Sequence, residues 1–322
     1  MALGARPAPG PSGWPDRGMM RKRYLHDECG EGREFWDRSW DRDWQRKYSE
    51  APIVDRRLVR HIDRYLTEDM LLLEGGCGDA QYVRHFTTRG YRVVGVDFSE
   101  RTVRKVNELL PQLDVRVGDI TNLDLPEDRF DAYYSGGVIE HFEEGVDKQM
   151  SEARRVLKPG GYLFVTVPHL NIVRRLSSRL RATCYKIDLD GRRTCLRENV
   201  LEFRIEPPPP GFHFHEYVFS TQEMRRFLAG HGFRVIDEVA FSGDWGLLDV
   251  QFYYRAVGVG KAKRLWLNKI CAAPLRVIRY CDRKASLAAR LASALAGELM
   301  GNLKLYVCRN EKRTCLAHDW QP

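Results

Sequence analysis

Short apolar runs alternate with amphipathic stretches between residues 70 and 168, and this alternation constrains the fold more than any other feature of the chain. The runs have the length of strands, and the stretches between them have helical spacing. They predict strands over residues 70–73, 91–96, 114–117, 130–134 and 162–167, and helices over residues 79–88, 99–110 and 145–157. Because the runs are apolar on both faces, they favour a mostly parallel sheet with helices covering both sides.

The same pattern resumes towards the C-terminus. A helix over residues 221–230 and strands over residues 233–240 and 303–308 complete the set. The predicted fold is therefore α/β, a Rossmann-like, doubly wound, mostly parallel seven-stranded sheet with helices on both faces. Two insertions interrupt it: residues 169–215, which are polar and which we expect to be irregular, and residues 247–302, which are basic and helical in pattern.

Composition excludes several classes of protein. Apolar residues make up 43% and charged residues 30% of the 322 residues, as in globular proteins and unlike collagen-like or low-complexity chains. No apolar stretch approaches the roughly 18 residues of a membrane-spanning helix, and no secretory signal follows the first basic residue. The eight cysteines form no C-x-x-C pair, so neither a zinc ribbon nor a disulfide framework is expected. We expect a cytoplasmic protein.

The segment after the first predicted strand points to a ligand site. The strand ends at Glu74, a turn containing Gly75, Gly76 and Gly78 follows, and a helix comes next. Such a turn brings backbone N–H groups at a helix start close to a ligand. A dinucleotide site would have a third glycine where Gln81 stands, and Glu74 would repel a pyrophosphate. The turn therefore favours a ligand that carries positive charge.

This segment resembles the first motif of the class I S-adenosylmethionine-dependent methyltransferases, in particular their UbiE/type-11-like group. That motif is an acid followed by G-x-G-x-G. The chain matches it at Glu74, Gly76 and Gly78 and departs from it at Ala80. The resemblance covers the predicted core over residues 70–168. It implies a methyltransferase that binds S-adenosyl-L-methionine through Glu74 and the glycines of the turn.

Two further carboxylates follow the next two predicted strands. Asp97 ends the second strand and Asp119 the third, so both are expected to join Glu74 at the edge where ligands bind parallel sheets. A carboxylate at a strand end can accept both hydroxyls of a ribose, although it can also be a solvated turn acid. The resemblance implies that Asp97 binds the ribose and that Phe98, Asp119 and Ile120 contact the adenine.

The fourth predicted strand leads into a loop that also matches the family. The loop ends in the pair Glu140-His141, and residues 155–161 read R-x-L-K-P-G-G. By resemblance, Ser135 and Gly136 lie against the cofactor and His141 faces the methyl end of the site. Histidine takes a proton readily near neutral pH, so His141 is the candidate catalytic base. A helix cap or a bond to the carboxylate of the cofactor is the equal alternative.

An aromatic-rich stretch contains His213, His215 and Tyr217. In the family the comparable stretch lines the acceptor pocket, so these three residues are candidates for the acceptor side, with a partly buried aromatic strand as the alternative. On an extended chain the two histidines share a face. Two ligands without an obvious third do not form a metal site, and no metal is predicted.

Aromatic residues also cluster near the N-terminus, in a charged context: Phe35, Trp36, Trp40 and Trp44. They could form an amphipathic helix that folds over the cofactor and excludes water. They could equally pack on the core, which is the preferred interpretation.

These features divide the chain into segments. We expect a disordered leader (1–20), an N-terminal aromatic and charged arm (21–60), a cofactor-binding core (61–168), an acceptor-side insertion (169–215), a continuation of the core (216–246), a basic helical insertion (247–302), the last core strand (303–310) and a tail (311–322).

The acceptor is the least constrained part of the prediction. Residues 135–138 read S-G-G-V where amine methylases of DNA have an N-P-P-Y-type loop, so DNA is not expected as a partner. We expect a small-molecule acceptor, methylated on an oxygen of a metabolite, glycan or lipid-linked compound. The alternatives are a cofactor-binding regulatory subunit without catalysis and a methyltransferase of RNA or protein. The sequence leaves the oligomeric state open.

Positive charge is concentrated in the last quarter of the chain. After residue 250 there are 14 of the 52 Lys and Arg residues but only four of the 44 acidic residues. Residues 261–284 combine this charge with Trp266 and aliphatic residues, which is typical of a helix that lies on an anionic bilayer. A helical lid or a dimer contact whose charges face water is the preferred interpretation. Membrane contact would place the protein at the inner face of the membrane.

Overall fold

The computed structural model describes residues 21–26, 32–40, 44–172, 174, 183–188, 197–203, 212–241 and 301–312. The predicted leader (1–20), the basic region 261–284 and nearly all of the insertion 247–302 lie outside the described residues. No helix among the described residues is both long and apolar enough to cross a membrane.

Strands and helices alternate through the core, as predicted. The strands are β1 (Arg21–His26), β2 (Leu71–Gly75), β3 (Arg92–Asp97), β4 (Asp114–Val117), β5 (Phe130–Gly136), β6 (Leu157–Pro168), β7 (Thr183–Asp188), β8 (Arg197–Phe203), β9 (Phe212–Val218), β10 (Phe233–Phe241) and β11 (Leu303–Asn310). The helices are α1 (Gly32–Trp40), α2 (Trp44–Ser49), α3 (Arg56–Ile62), α4 (Gln81–Thr88), α5 (Glu100–Leu109), α6 (Asp147–Val156) and α7 (Thr221–Gly230), with a short 3-10 helix at Ile139–His141.

The main sheet has seven strands in the order β10-β11-β6-β5-β2-β3-β4. The five strands from β6 to β4 are parallel, whereas β11 pairs antiparallel with both β6 and β10. The predicted Rossmann-like, mostly parallel sheet is confirmed. The chain moves outwards from β2 to β4 and then returns to add β5 on the other side of β2. Ligands bind parallel sheets at such a reversal, outside the carboxyl ends of the strands.

Helices cover both faces of this sheet, and successive residues of β2 supply both interfaces. Leu72 packs in one apolar cluster with Phe86 of α4, and Leu73 packs in the other with Phe227 of α7. Since side chains alternate along a strand, a strand buried on both faces needs a continuous apolar run, which is the signal read from the sequence.

A second sheet lies outside the predicted core. It is antiparallel in the order β7-β8-β1-β9, and three of its strands lie in or extend from the segment 169–215. The expectation that this segment is irregular was therefore wrong. The Phe-His-Phe-His alternation over residues 212–215 has the period of a half-buried strand. However, the pairing partner β1 lies nearly 190 residues earlier in the chain.

Backbone hydrogen bonds attach the end of β9 to the end of β6. The amide of Phe219 donates to the carbonyl of Pro168 at 3.0 Å, and the amide of Leu170 donates to the carbonyl of Phe219 at 2.8 Å. The second sheet therefore meets the main sheet near the carboxyl end of β6, on the side where a ligand is expected to bind.

Candidate active site

A cavity of about 840 Å³ lies at the carboxyl ends of the parallel strands, covered by α1. Most of the predicted cofactor residues and the predicted base line it: Glu74, Gly76, Asp97, Phe98, Asp119, Ile120, Gly136 and His141. The structure thus gathers side chains that are up to 67 positions apart in the sequence around one space.

Three of the predicted cofactor residues, Gly75, Gly78 and Ser135, are not among the residues that line the cavity. A Cβ on Gly75 would come within 2.0 Å of the Tyr133 hydroxyl, and a Cβ on Gly78 within 2.7 Å of the Trp40 ring. These two glycines therefore permit close packing around the cavity. Ser135 is only 2% exposed within β5 and is not among the lining residues.

Glu74 ends β2 and is almost completely buried. Its carboxylate accepts a hydrogen bond from the backbone of Val83 in α4, whereas Oε2 has no hydrogen-bond partner among the described residues. Burial raises the pKa of this carboxyl well above its ordinary value, and the neighbouring Asp79 adds to the effect. A buried carboxylate oxygen without a partner is costly, so a cationic or hydrogen-donating ligand group in the cavity would stabilise it.

Asp97 holds the glycine turn in place. Its Oδ2 accepts from the amide of Gly78 at 2.8 Å and its Oδ1 from the amide of Ser99 at 2.9 Å. Burial raises the pKa of Asp97, while these two amides act in the opposite direction. A carboxylate offers about four acceptor positions, so two remain for ribose hydroxyls.

The amides of the glycine turn are used internally. Gly76 and Cys77 both donate to the carbonyl of Val96, at 2.8 and 3.1 Å, and Gly78 donates to Asp97. The expectation that the amides of the turn face a ligand therefore does not hold for these three residues. Ala80 adopts the left-handed conformation with φ 57°, so the turn keeps its shape although alanine replaces the glycine of the motif.

Asp119 follows β4 and is exposed to the cavity mouth. Its Oδ1 accepts from the amide of Thr121 at 2.8 Å, which orients the carboxylate, and Ile120 beside it supplies an apolar wall. On the same side, the Arg33 guanidinium lies 5.3 Å from the centroid of the Phe98 ring. Helix α1 therefore reaches the end of the cavity where the adenine is expected.

The aromatic residues of the N-terminal arm lie in two different places, some at the cavity and some against the apolar core. No residue of α1 is buried, and Arg33, Trp36 and Trp40 line the cavity. Trp44 and Tyr48 of α2 pack against the apolar core instead. The preferred interpretation, packing on the core, holds for α2, whereas α1 covers the cavity.

His141 has a defined tautomer. Its Nδ1 lies 2.7 Å from the carbonyl oxygen of His215, and because a carbonyl only accepts, Nδ1 carries the proton. In the neutral ring Nε2 then holds a lone pair, as a proton acceptor or a metal ligand requires. The Trp36 ring lies edge-on to His141 with a centroid distance of 4.8 Å.

The predicted acceptor-side residues separate in the structure. His215 is not among the lining residues, but its ring packs against His141, which lines the cavity, and against Phe35, with centroids 4.8 and 5.4 Å away. His213 lies partly buried in the same strand but is not among the lining residues. Tyr217 is 3% exposed in the apolar core and donates its hydroxyl to the carbonyl of Glu143 at 2.8 Å. Assigning Tyr217 to the acceptor side was therefore wrong.

Sequence reasoning missed Arg33 and Glu216. Arg33 falls on the same helical face as Trp36 and Trp40, at spacings of three and seven residues, so the spacing could have identified it. Glu216 follows His215 in β9, and no local pattern points to it.

Comparisons with known proteins agree with this geometry. Residues 73–165 match the family model described as a methyltransferase domain. A protein of Mycolicibacterium smegmatis named as a probable S-adenosylmethionine-dependent methyltransferase is 36% identical over 98 residues, which cover 30% of this chain and 38% of that protein. The ubiquinone biosynthesis O-methyltransferase of Sinorhizobium medicae is 26% identical over 238 residues, which cover 68% of this chain and 88% of that protein.

Among solved structures, a chain from the complex of a Haloferax volcanii methyltransferase activator with a methyltransferase superposes with a TM-score of 0.50. It is 14% identical, and the match covers 89% of this chain and 100% of that chain. At this identity the similarity concerns the fold alone.

The seven-stranded sheet has the class I methyltransferase fold. Residues 73–165 form a methyltransferase domain, and its cofactor is S-adenosylmethionine. Glu74 Oε2, which has no hydrogen-bond partner in the described part of the chain, and the remaining acceptor positions of Asp97 fit that cofactor. The matched part of the chain spans about two fifths of the length of the M. smegmatis relative.

Replacing Asp97 by Ala should weaken binding of S-adenosylhomocysteine at least about 100-fold. Two hydrogen bonds to a charged acceptor contribute roughly 1.5–3 kcal/mol each, and the amide of Gly78 also loses its acceptor. Isothermal titration calorimetry measures the change. Asp114→Ala is the matched control, because Asp114 is exposed on the neighbouring strand and pairs only locally, with Arg116. Unchanged affinity in Asp97→Ala would remove this residue from the site.

Proposed function

We propose that this protein transfers a methyl group from S-adenosylmethionine to an oxygen atom of a small-molecule acceptor. The observation that carries the proposal is that one cavity is lined both by three strand-end carboxylates, Glu74, Asp97 and Asp119, and by His141. The carboxylates suit the amino group, ribose and adenine of the cofactor, and His141 suits an acceptor hydroxyl.

When bound, S-adenosylmethionine supplies a methyl group on a positively charged sulfur. Glu74 binds the amino group of the cofactor, since its buried oxygen has no other hydrogen-bond partner among the described residues. Asp97 accepts from the ribose hydroxyls, and Asp119 and Ile120 hold the adenine against the mouth of the cavity. Phe98, facing Arg33 of α1, closes this end.

The acceptor lies between α1 and the 3-10 helix. Trp36 and Trp40 stack with centroids 5.8 Å apart and line the cavity, so they exclude water from the reacting groups. Methyl transfer depends mainly on alignment and exclusion of water. His141 keeps its proton on Nδ1 through the carbonyl of His215, and its Nε2 lone pair takes the proton of an acceptor hydroxyl.

Two observations favour a small hydroxylated acceptor. Helix α1 lies across the cavity, which favours a molecule that fits beneath it over a polymer. The relative from S. medicae, which the chain matches over 88% of its length, is named for O-methylation in ubiquinone biosynthesis.

The proposal is tested by ligand binding and by transfer of label. S-adenosylhomocysteine at about 100 times its Kd should stabilise the protein by roughly 2.7 kcal/mol, whereas NAD should give no thermal shift. Incubation with S-adenosylmethionine labelled in its methyl group and a cell extract should then place label in the small-molecule fraction. Label in RNA or protein would support a macromolecular acceptor instead. Binding without any transfer would support a regulatory subunit.

His141→Ala should lower the rate of label transfer by about 10²–10⁴-fold, the usual contribution of a general base. Affinity for S-adenosylhomocysteine should change far less, because the carboxylates at the other end bind the cofactor. His85→Ala is the control for losing a histidine, since His85 lies on α4 outside the cavity lining. Equal losses in rate and in affinity would instead assign His141 to cofactor binding.

We also propose a cytoplasmic protein that touches anionic lipid headgroups through the basic residues 261–284. The support is compositional, since each Lys or Arg near an anionic bilayer contributes about 1 kcal/mol. The full chain should sediment with anionic vesicles at low salt, dissociate at high salt, and lose binding when residues 261–284 are deleted. Neutral vesicles are the control. No sedimentation with anionic vesicles at low salt would overturn the membrane contact and favour a lid or a dimer contact.

A further inference from the structure

A bulge in β9 brings two consecutive side chains together. Arg23 of β1 is in register with Glu216, but the next residue, Tyr24, is in register with Phe214, so His215 is the extra residue of the bulge. Consecutive side chains of a regular strand point to opposite faces, and a bulge redirects them. The His215 Nε2 and the Glu216 Oε2 are accordingly only 3.9 Å apart.

The bulge also explains the partner of His141. As the extra residue, His215 stands outside the register with β1, and its carbonyl accepts from Nδ1 of His141 at 2.7 Å. A histidine whose Nδ1–H donates to a backbone carbonyl has its Nε2 lone pair oriented for a ligand, the arrangement found around most metal-binding histidines.

The three side chains form a compact donor set. One possible ligand atom from each of His141, His215 and Glu216 lies within 4.8 Å of the others. The neighbouring Glu140 is 2% exposed, and its Oε2 has no hydrogen-bond partner among the described residues. Two buried carboxyl groups beside two imidazoles would be stabilised by a cation between them.

We propose that His141, His215 and Glu216 bind one divalent transition-metal ion, of which Zn²⁺ is the best match. Two histidines and a glutamate form a common catalytic zinc site, with a fourth position left open. Bonds of about 2.0–2.1 Å to a tetrahedral ion place ligand atoms roughly 3.3 Å apart. The present separations therefore require the side chains to close by about 1 Å.

This inference rests on the proposed function, because it assigns the open position to an oxygen of the acceptor. A metal ion lowers the pKa of a hydroxyl that it binds. Since the Nε2 lone pair of His141 would be used for ligation, a hydroxyl bound to the ion would lose its proton to water instead of to His141, and its oxygen would then receive the methyl group. The site would select acceptors with an oxygen that can reach the ion.

The test uses the full chain after removal of metals with a chelator. Zn²⁺ alone is titrated calorimetrically, and Co²⁺ is followed by its visible absorption, which reports coordination geometry and distinguishes nitrogen and oxygen ligands from thiolates. We expect one tight equivalent in the wild type, and at least tenfold weaker binding in His215→Ala and Glu216→Gln. Should His215→Ala fail to fold by circular dichroism, His215→Gln replaces it as the conservative variant.

His213→Ala is the matched control, because it removes a histidine from the same strand outside the donor set, and it should keep the tight equivalent. Zinc binding that survives in the His215 and Glu216 variants, or that is lost equally in His213→Ala, would overturn the assignment. Binding of S-adenosylhomocysteine without tight zinc binding would overturn the metal site alone. Failure to bind S-adenosylhomocysteine would overturn the proposed function.

Discussion

The hydrogen bonds between Asp97 and the amides of Gly78 and Ser99 are the constraint on which the proposed cofactor end of the cavity, the part lined by Glu74, Asp97 and Asp119, depends. They join the end of β3 to the glycine turn after β2 and to the start of α5, where the Ser99 hydroxyl caps the helix by accepting from the amide of Thr102 at 3.1 Å. One carboxylate therefore fixes two strand–helix connections on adjacent strands. Its burial against these amides means that any ligand it binds meets a site already in position.

The acceptor end depends on a different kind of contact. It is assembled from three regions that are far apart in the sequence: β1 with α1, the 3-10 helix, and β9. The second sheet, in which β1 pairs with β9, brings the first and last of them together. Lys22 of β1, only 9% exposed, pairs with Glu143 at 3.0 Å and lies 5.8 Å from the ring centroids of Phe214 and Tyr217. The contacts of this buried cation hold β1 against β9. Because α1 follows β1 after only a few residues, the pairing of β1 with β9 also determines the position of Trp36 and Trp40 over the cavity.

The difference between the two ends explains what the sequence could predict. The strands and helices of the core carry local patterns, and Glu74, Asp97 and Asp119 each follow an apolar run, so their convergence follows from parallel strands alone. The bulge at His215 depends on the register between β1 and β9, which no pattern around residue 215 specifies. For the same reason the position of Glu216 beside two histidines was not foreseen, and Tyr217 was assigned to the site although its side chain enters the core.

The two ends of the cavity are formed by different sheets, and this has a functional consequence. The carboxylates that suit the cofactor lie on short connections within the main sheet, whereas the groups that would meet an acceptor lie on elements attached to it by β1 and β9. A change of register or length in the second sheet would therefore alter the acceptor end without moving Glu74 or Asp97. Because Nδ1 of His141 is held by the carbonyl of His215, the chemistry of His141 would follow the bulge in β9. A change in the second sheet that moved the bulge would therefore also change the orientation of the His141 ring in the cavity of the main sheet.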